Sequence, residues 1–374
     1  MIKILFFIPE LSGGGAEKVL RNLVNNMDQT EFDITVQTVS EEKEPEKYLA
    51  SGIRYRAINR CKSSLGKKLF NYWYRLCAEL KMLYPLYIRD NYDIEIAYLE
   101  CGATKAIAGS TNKRAVKLAW VHCDLAKKEG MAEAVEKLKK QYSAYDKVIC
   151  VSESVKKSFI HMLGNHPETM VLYNVNDEDE IREKAEAFVV PKGPECHLLA
   201  VGRLTRQKGF DRLLEACSML KREGFAFRLQ ILGEGSERVN LEKQIQENHL
   251  ETCVQLMGFQ SNPYPYIKAA DLVVCSSRYE GLSTVAIESM ILGTPVLTTP
   301  CSGMEELLGA SEYGLITEDS SEGLYTGLRT ILEKTHLLKT YAGLAKVRGE
   351  EFAKNRTVQE TEDFFQELIT NTEN

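Results

Sequence analysis

Short apolar runs alternate with longer amphipathic stretches along most of this chain, and this alternation limits its fold more than any other feature. Runs such as KILFFI at 3–8 are typical of parallel strands, which are buried on both faces because helices cover each side of the sheet. The sequence therefore predicts an α/β fold. Strands are expected at 3–8, 32–39, 53–58, 93–98, 115–121, 147–151, 169–172, 197–201, 227–232, 253–257, 272–275, 295–298 and 314–317.

The length of 374 residues exceeds what one hydrophobic core usually supports, so two domains are expected. The segment 189–195 contains two prolines and a glycine and is predicted to be the linker. The predicted organisation is an N-terminal domain at 1–188, this linker, a C-terminal domain at 196–356 and a helical segment at 357–374 that returns to the first domain.

Composition and charge narrow the functional classes. The net charge of −6 disfavours a general nucleic-acid binder, which needs clustered positive charge. The ten cysteines are scattered without zinc-ligand spacing, which predicts reduced thiols in the core of a cytoplasmic protein. No run approaches the roughly 20 apolar residues of a membrane span, and the apolar run at 4–8 is too short for a signal-peptide core.

The stretch 271–308 contains a carboxylate in an unusual place. An apolar strand is followed by a turn at 276–281 and then by a helix that ends at Gly293. Glu288 lies in the middle of this apolar helix, and a carboxylate is rarely buried without a partner. Glu280 lies on the turn, and the N–H groups at the start of the helix suit a phosphate. Two carboxylates beside a phosphate site suit a ligand that carries both hydroxyl and phosphate groups, and a nucleotide sugar is such a ligand.

The spacing from Glu280 to Glu288 resembles the E-x7-E signature of retaining glycosyltransferases of GT-B type, the family-four group, or glycosyl transferases group 1. An incidental glutamate in a buried helix is the alternative. The resemblance implies two Rossmann-like parallel-sheet domains with the active site in a cleft between them. It also implies transfer with retention at the anomeric carbon, with no metal and no other cofactor.

Two further loops resemble the same family. Gly14 and Gly15, followed by Ala16 and Glu17, match its GG-A-E loop, whereas a dinucleotide fingerprint would need glycine at Lys18. An oxidoreductase is therefore disfavoured, and nicotinamide titration would test it.

The loop after the strand 197–201 resembles the family's G-R-L…K-G motif. Independently of the resemblance, Arg203 and Lys208 could neutralise the charge that develops on a departing diphosphate. Solvated surface cations are the alternative explanation.

The resemblance assigns a role to each candidate residue. Glu288 would bind the ribose hydroxyls, Glu280 the sugar hydroxyls, and His122, at the end of the strand 115–121, would contact the sugar. A purely structural histidine is the alternative for His122. The leaving diphosphate would be held by Arg203, Lys208 and the N–H groups of Gly281, Leu282 and Ser283, with Gly14, Gly15 and Gly233 lining the donor site.

The predicted activity is transfer of a hexose or N-acetylhexosamine from a nucleotide-diphosphate sugar, with UDP expected as the nucleotide. The acceptor would be a glycan or a polyprenyl-linked saccharide of bacterial capsule or exopolysaccharide synthesis. A GT-B-fold epimerase and a non-catalytic nucleotide-sugar-binding protein are the alternatives. The pair Asp177 and Asp179 resembles a metal-binding D-x-D but is predicted to supply negative charge to the first turn of a helix at 178–187.

The segment 60–89 is the one strongly basic stretch of an acidic chain, with aromatic residues between its cations. A helix that lies on an anionic membrane needs this composition. Peripheral contact with the inner face of the cell membrane is expected, where the segment would present a polyprenyl-linked acceptor. A helix that packs its aromatic side chains on the sheet is the alternative. The cations are Arg60, Lys62, Lys67, Lys68, Arg75, Lys81 and Arg89.

Overall fold

The computed structural model describes residues 1–59, 63–128, 130–164 and 168–373. The chain divides into two compact units, residues 1–175 with 354–374 and residues 176–353. Each unit contains a parallel sheet with helices between successive strands. The predicted α/β class with two Rossmann-like sheets is therefore confirmed.

The first unit is built on a sheet of seven described strands in the order β3-β2-β1-β4-β5-β6-β7. The apolar run 3–8 forms β1 at the centre, and its residues Ile4 to Ile8 are fully buried. The strands are β1 (Ile2–Ile8), β2 (Phe32–Ser40), β3 (Arg54–Asn59), β4 (Ile94–Ala97), β5 (Val116–Val121), β6 (Lys147–Cys150) and β7 (Thr169–Val171). The helices before residue 175 are α1 (Gly15–Asn26), α2 (Ser64–Glu79), α3 (Leu83–Tyr87), α4 (Gly102–Ile107), α5 (Val135–Tyr142) and α6 (Glu153–Leu163).

The second unit repeats the plan with six described strands in the order β10-β9-β8-β11-β12-β13. One face of this sheet packs an apolar core that includes Leu198, Leu229 and Ile231. Its helices are α7 (Glu178–Ala185), α8 (Phe210–Arg222), α9 (Arg238–Glu247), α10 (Tyr264–Ala269), α11 (Thr284–Ile291), α12 (Met304–Leu308), α13 (Ser321–Glu333) and α14 (His336–Gly349). Its strands are β8 (Cys196–Val201), β9 (Phe227–Leu232), β10 (Val254–Gly258), β11 (Leu272–Cys275), β12 (Val296–Thr298) and β13 (Leu315–Ile316).

The boundary between the units lies before α7, whereas the sequence predicted it at 189–195. Helix α7 packs against α10 and α11 of the second unit. The Nδ2 of Asn262 donates to the carbonyl of Lys184 at 2.8 Å, and Arg182 pairs with Glu350 at 2.7 Å. These partners are distant in sequence, so local composition around the prolines did not reveal them.

The last helix, α15 (Lys354–Glu373), belongs to the first unit. The ring of Phe365 lies 6.3 Å from the rings of both Phe6 and Phe32, in edge-to-face geometry. The carboxylate of Glu362 accepts the N–H of Asp28 at 2.6 Å. The C-terminal segment therefore completes the core around β1.

The described cysteines are all free thiols, and most of them are buried or half-buried. Cys101 is exposed, which differs from its predicted place in the core, and Cys61 lies outside the described residues. No helix in the described part of the chain is both long enough and apolar enough to cross a bilayer.

Glu95 on β4 is a fully buried carboxylate inside the first unit. The hydroxyl of Tyr84 donates to its Oε1, and the Nδ2 of Asn112 donates to the same atom at 3.2 Å. Burial raises the pKa of Glu95 above its ordinary value, and hydrogen bonds from Ser110, Tyr84 and Asn112 oppose this effect. The folded protein therefore binds a proton at this carboxyl more strongly than the unfolded chain does.

This linkage predicts that Glu95 contributes stability at low pH that is lost as the pH rises through its folded pKa. Replacing Glu95 with glutamine removes the titration, so the difference in Tm between variant and wild type should grow as the pH rises from the ordinary carboxyl range through the raised pKa of Glu95. Thermal unfolding at several pH values measures it. The exposed Glu46→Gln is the control, and a difference for Glu95→Gln that stays constant with pH would contradict the assignment.

Candidate functional site

The order of the strands reverses between β8 and β11, and the loops after these two strands carry most of the predicted donor residues. In open parallel sheets, ligands bind at this point, beyond the carboxyl ends of the strands. Arg203 and Lys208 lie on the loop after β8. Glu280 and the turn 281–283 follow β11. The topology therefore brings together two loops that are far apart in sequence.

Lys208 and Glu280 form an ion pair at the centre of these loops. The Nζ of Lys208 lies 2.6 Å from Oε1 of Glu280, and the hydroxyl of Ser277 donates to the same oxygen at 2.6 Å. Burial disfavours the charged amine, but the Glu280 carboxylate outweighs this effect and the pKa of Lys208 is raised. Lys208 therefore carries a positive charge, which an incoming anion could share with Glu280.

The loop that carries Glu280 is anchored to α8 by two arginines. Nη2 of Arg212 donates to the carbonyls of Ser276 and Ser277 at 2.9 and 3.0 Å. Arg278 forms a bidentate pair with Asp211, with distances of 2.7 and 2.6 Å. Sequence patterns alone did not single out these residues, because their partners lie more than 60 positions away. Their hydrogen bonds fix the backbone that presents Glu280.

Helix α11 begins directly after the turn 281–283 and holds Glu288 in its middle. Ser283 caps the helix, because its Oγ accepts the N–H of Ala286 at 3.3 Å. The side chains of Ile287 and Met290 are fully buried, and Glu288 is only 4% exposed. The structure therefore places a buried carboxylate about one turn after a helix N-terminus, as the sequence predicted.

Two glycines allow the backbones of neighbouring loops to approach each other closely around this site. Gly233, after β9, has φ +143°, and a Cβ on it would lie 1.9 Å from the carbonyl oxygen of Gly202. Gly209 has φ +63°, and a Cβ there would lie 2.1 Å from the carbonyl oxygen of Ser276. Both positions favour glycine and leave no room for a larger residue. Gly233 thus lies beside the β8 loop, where the sequence placed it in the donor site.

Arg203 lies on the same loop as Lys208, but its side chain is exposed. Among the described residues, no ion pair or hydrogen bond holds its guanidinium. An exposed guanidinium beside a half-buried ammonium can form a bidentate contact with a phosphate. The arrangement of Arg203 and Lys208 is consistent with the predicted diphosphate role.

His122 belongs to the first unit and follows β5 directly. The backbone N–H groups of His122 and Cys123 both donate to Oε1 of Glu100, that of Cys123 at 3.1 Å. The ring of Tyr98 lies 4.8 Å away, and burial lowers the pKa of His122 to about 3. No described residue hydrogen-bonds its Nε2. His122 is therefore a neutral imidazole at neutral pH, suited to a hydrogen bond with a hydroxyl rather than to a cationic role.

Glu100 is a functional candidate that sequence reasoning missed. Its side chain is buried, and Lys128 lies 3.9 Å from its Oε2. A carboxylate two residues after the strand predicted at 93–98 was the available signal, because residues at strand ends meet ligands in such sheets.

The remaining candidates are also in the first unit or at the boundary between the units. Gly14 is the N-cap of α1, and Gly15 is its first residue. Asp177 caps α7 by accepting the N–H of Glu180 at 3.1 Å, which is the helix-terminal role expected of the D-x-D pair. Within the described ranges, no group of three or more His, Cys, Asp or Glu side chains could hold a metal ion.

Two family models match nearly the whole chain between them. The model described as "Glycosyl transferases group 1" matches residues 182–346. The model described as "Glycosyltransferase Family 4" matches residues 13–180. The match at 182–346 contains the site around Lys208 and Glu280, and the match at 13–180 contains Gly14, Gly15 and His122.

Several curated relatives are named as glycosyltransferases of bacterial polysaccharide or lipopolysaccharide synthesis. The chain is 38% identical to the N-acetylgalactosamine-N,N'-diacetylbacillosaminyl-diphospho-undecaprenol 4-alpha-N-acetylgalactosaminyltransferase of Campylobacter jejuni, over 49% of this chain and 50% of that protein. The match thus spans about half the length of this relative. The amylovoran biosynthesis glycosyltransferase AmsD of Erwinia amylovora is 24% identical over 92% of this chain and 94% of its own length.

Solved structures share the fold over almost the full length. The Anabaena protein Alr3699/HepE, solved in complex with UDP-glucose, has a TM-score of 0.76 and 20% identity, covering 98% of this chain and 100% of that chain. The sucrose-phosphate synthase of Thermosynechococcus elongatus has a TM-score of 0.80 and 17% identity, covering 99% and 100%. With both family matches, these likenesses confirm the predicted fold and family: the chain belongs to the group 1 glycosyltransferases of GT-B fold.

Proposed function

We propose that this glycosyltransferase moves a sugar from a UDP-sugar to a polyprenyl-diphosphate-linked glycan in bacterial polysaccharide synthesis, with retention at the anomeric carbon and without a metal. The relatives named above act in bacterial glycan synthesis, and one of them is named for a diphospho-undecaprenol-linked substrate. The HepE structures contain UDP and UDP-glucose. These names suggest the donor and acceptor classes.

The observation that carries the proposal is the Lys208–Glu280 pair at the switch point of the second sheet. The half-buried ammonium of Lys208 can stabilise the negative charge that develops on the leaving diphosphate, and Arg203 can add a second cation. The N–H groups at 281–283 point from the start of α11, where the helix dipole favours an anion. Glu288 accepts the ribose hydroxyls, Glu280 and His122 contact the sugar, and Gly14, Gly15 and Gly233 line the donor site.

A product assay tests the proposal. Purified enzyme is given UDP-sugars one at a time, with and without a polyprenyl-diphosphate-linked saccharide, and the products are analysed by mass spectrometry and NMR. An α-linked product that requires the acceptor supports retaining transfer. A second nucleotide sugar formed without acceptor would indicate an epimerase, and binding without turnover would indicate a sensor. Activity that EDTA abolishes would contradict metal-free transfer and would direct attention back to Asp177 and Asp179.

The exposed face of α2 supports membrane contact at the acceptor side. Large apolar side chains point outward along one stripe of this helix and the turn after it, at helical spacing. Their exposed fractions are 65% for Leu69, 75% for Tyr72, 45% for Trp73, 43% for Leu76 and 59% for Leu80. Other aromatic side chains of the segment do pack, as the alternative explanation expects: Tyr84 is buried and Phe70 and Tyr74 are half-buried.

Cations accompany the apolar stripe. Lys68, Arg75 and Lys81 are exposed on the same segment. Glu79, the one acid on it, pairs with Lys105 and Lys137, and hydrogen bonds from both lower its pKa to about 2. Arg60 and Lys62 lie outside the described residues, as does the side chain of Lys67. We infer that α2 docks on an anionic bilayer with its apolar stripe at the acyl boundary.

Co-sedimentation with vesicles that contain phosphatidylglycerol measures this docking. Binding should weaken as salt screens the charges, and it should fall in the double variants Lys68→Glu/Arg75→Glu and Tyr72→Ser/Trp73→Ser. The matched control is Val239→Ser/Lys243→Glu on α9, where both side chains are more than 70% exposed. Equal binding by wild type and all variants, or binding by none, would leave α2 without a membrane role.

A further inference from the structure

The face of the second sheet opposite its apolar core is polar where it crosses β8, β9 and β10. Parallel strands covered on both faces normally carry apolar residues on each side. Here the register sets His197 beside Arg228 and Gln230 beside Gln255. The opposite face of the same strands carries the apolar core that includes Leu229. Polar groups on this face that do not hydrogen-bond one another therefore need water or a ligand as a partner.

A cavity of about 380 Å³ lies over this face, within the second unit. Segment 188–193 forms one wall, and Tyr266 of α10 lines the cavity with it. The rings of Phe188 and Tyr266 lie 5.6 Å apart in edge-to-face geometry. The volume falls near the lower end of the range of roughly 300–1,000 Å³ found for small-molecule sites.

Two of the polar side chains in the floor of the cavity are held in place. His197 is 4% exposed and Gln230 is 7% exposed, and His197 Nε2 lies 2.8 Å from Gln230 Oε1. Nη2 of Arg228 donates to Oε1 of Gln255 at 3.3 Å. Among the described residues, Nδ1 of His197 has no hydrogen-bond partner. The cavity thus has a floor of preset donors and acceptors together with an orphaned imidazole nitrogen.

The chemistry of the lining selects an uncharged, hydroxyl-rich ligand. Arg228 and Glu195 are the charged residues among the lining side chains, and their charges cancel. Glutamine amides both donate and accept hydrogen bonds, which matches the two roles of a hydroxyl group. Aromatic rings and Pro191 offer an apolar surface to the C–H face of a ring. A diphosphate or another anion would find no net positive charge here.

We propose that this cavity, at 188–193 over β8–β10, is a second carbohydrate-binding site that holds one uncharged sugar unit of a glycan. It lies on the face of the sheet, near the first residues of the strands, whereas Lys208 and Glu280 lie beyond the strands' carboxyl ends. The site rests on the proposed function only for the source of the glycan. It would keep a glycan product or acceptor on the enzyme without touching the reacting atoms.

Saturation-transfer NMR on the full-length protein tests the site with three probes: methyl α-glucoside, methyl α-galactoside and methyl N-acetyl-α-glucosaminide. UDP is added at saturation to occupy the donor site. At least one probe should give signals. Its affinity should fall about tenfold for each of Arg228→Ala and Gln255→Leu, as for loss of one hydrogen-bonding side chain. Tyr266→Leu should also lose binding, whereas Tyr266→Phe should keep it.

Controls separate this site from the catalytic one. Arg228 and Gln255 are exposed, so their variants should fold, and an unchanged affinity for UDP verifies this. The exposed Gln246→Leu on α9 matches Gln255→Leu and should bind as the wild type does. No signal with any probe, or signals that the cavity variants leave unchanged, would overturn the proposal. Either result would leave the donor-site assignment intact, because that assignment is tested by UDP binding and turnover.

Discussion

Replacing Lys208 with alanine is expected to lower kcat by about 10²- to 10³-fold, the range seen when one charge-stabilising donor to a transition state is removed. The ammonium lies 2.6 Å from Glu280, and its pKa is raised, so it remains charged across the pH range of an assay. The charge on a leaving diphosphate grows as the glycosidic bond breaks. Lys208 therefore stabilises the transition state more than the bound donor.

The same fall is expected for Arg203→Ala, and steady-state kinetics with a fixed acceptor concentration would measure both. Arg206→Ala is the matched control, because Arg206 is exposed on the same loop. Its loss should have little effect on kcat. Near-normal turnover in both the Lys208 and the Arg203 variants would remove the diphosphate assignment. A uniform fall that includes Arg206→Ala would indicate damage to the loop rather than loss of a specific charge.

Glu280→Gln separates the two partners of the ion pair. The variant keeps the hydrogen-bonding shape but removes the charge that holds Lys208 protonated against burial. If Glu280 only restrains Lys208, the variant should retain donor binding. Lys208 should then lose its proton at a lower pH, so kcat should decline with rising pH earlier than in the wild type. If Glu280 also binds the sugar, KM for the donor should rise as well.

The sequence predicted the fold well because its signals were local. Several buried strands are continuous apolar runs, such as Leu272–Cys275, and turns such as the one at Gly209 carry glycine where φ is positive. The E-x7-E spacing also placed Glu280 and Glu288 on one turn and one helix. Local patterns of this kind are readable without knowledge of distant contacts.

Contacts between distant parts of the chain were not readable in this way. Sequence alone assigned Lys208 and Glu280 separately to a ligand, and only the structure shows them paired with each other. Arg212 and Arg278 were missed because surface helices and loops commonly carry arginines, and their roles depend on carbonyls and a carboxylate far away in the sequence. The placement of α7 in the second unit has the same cause, since its packing partners come much later in the chain.

Glu288→Ala is expected to remove most donor binding, with the affinity for UDP falling by roughly 10²-fold or more. The side chain is only 4% exposed in the middle of α11, and a carboxylate there can accept hydrogen bonds from both ribose hydroxyls. Hydrogen bonds to a charged group contribute about 1.5–3 kcal/mol each, so the loss of two gives a change of this size. Isothermal titration with UDP measures it.

Removing the ribose hydroxyls from the ligand distinguishes this role from a general loss of structure. Wild type should bind UDP more tightly than 2′,3′-dideoxy-UDP, whereas Glu288→Ala should bind the two ligands about equally, because the variant no longer senses the hydroxyls. The preference of Glu288→Gln for UDP should lie between those of wild type and Glu288→Ala, since its amide keeps one acceptor oxygen without the charge. A variant that still prefers UDP by the wild-type factor, or that loses transfer with unchanged UDP affinity, would show that Glu288 does not hold the ribose.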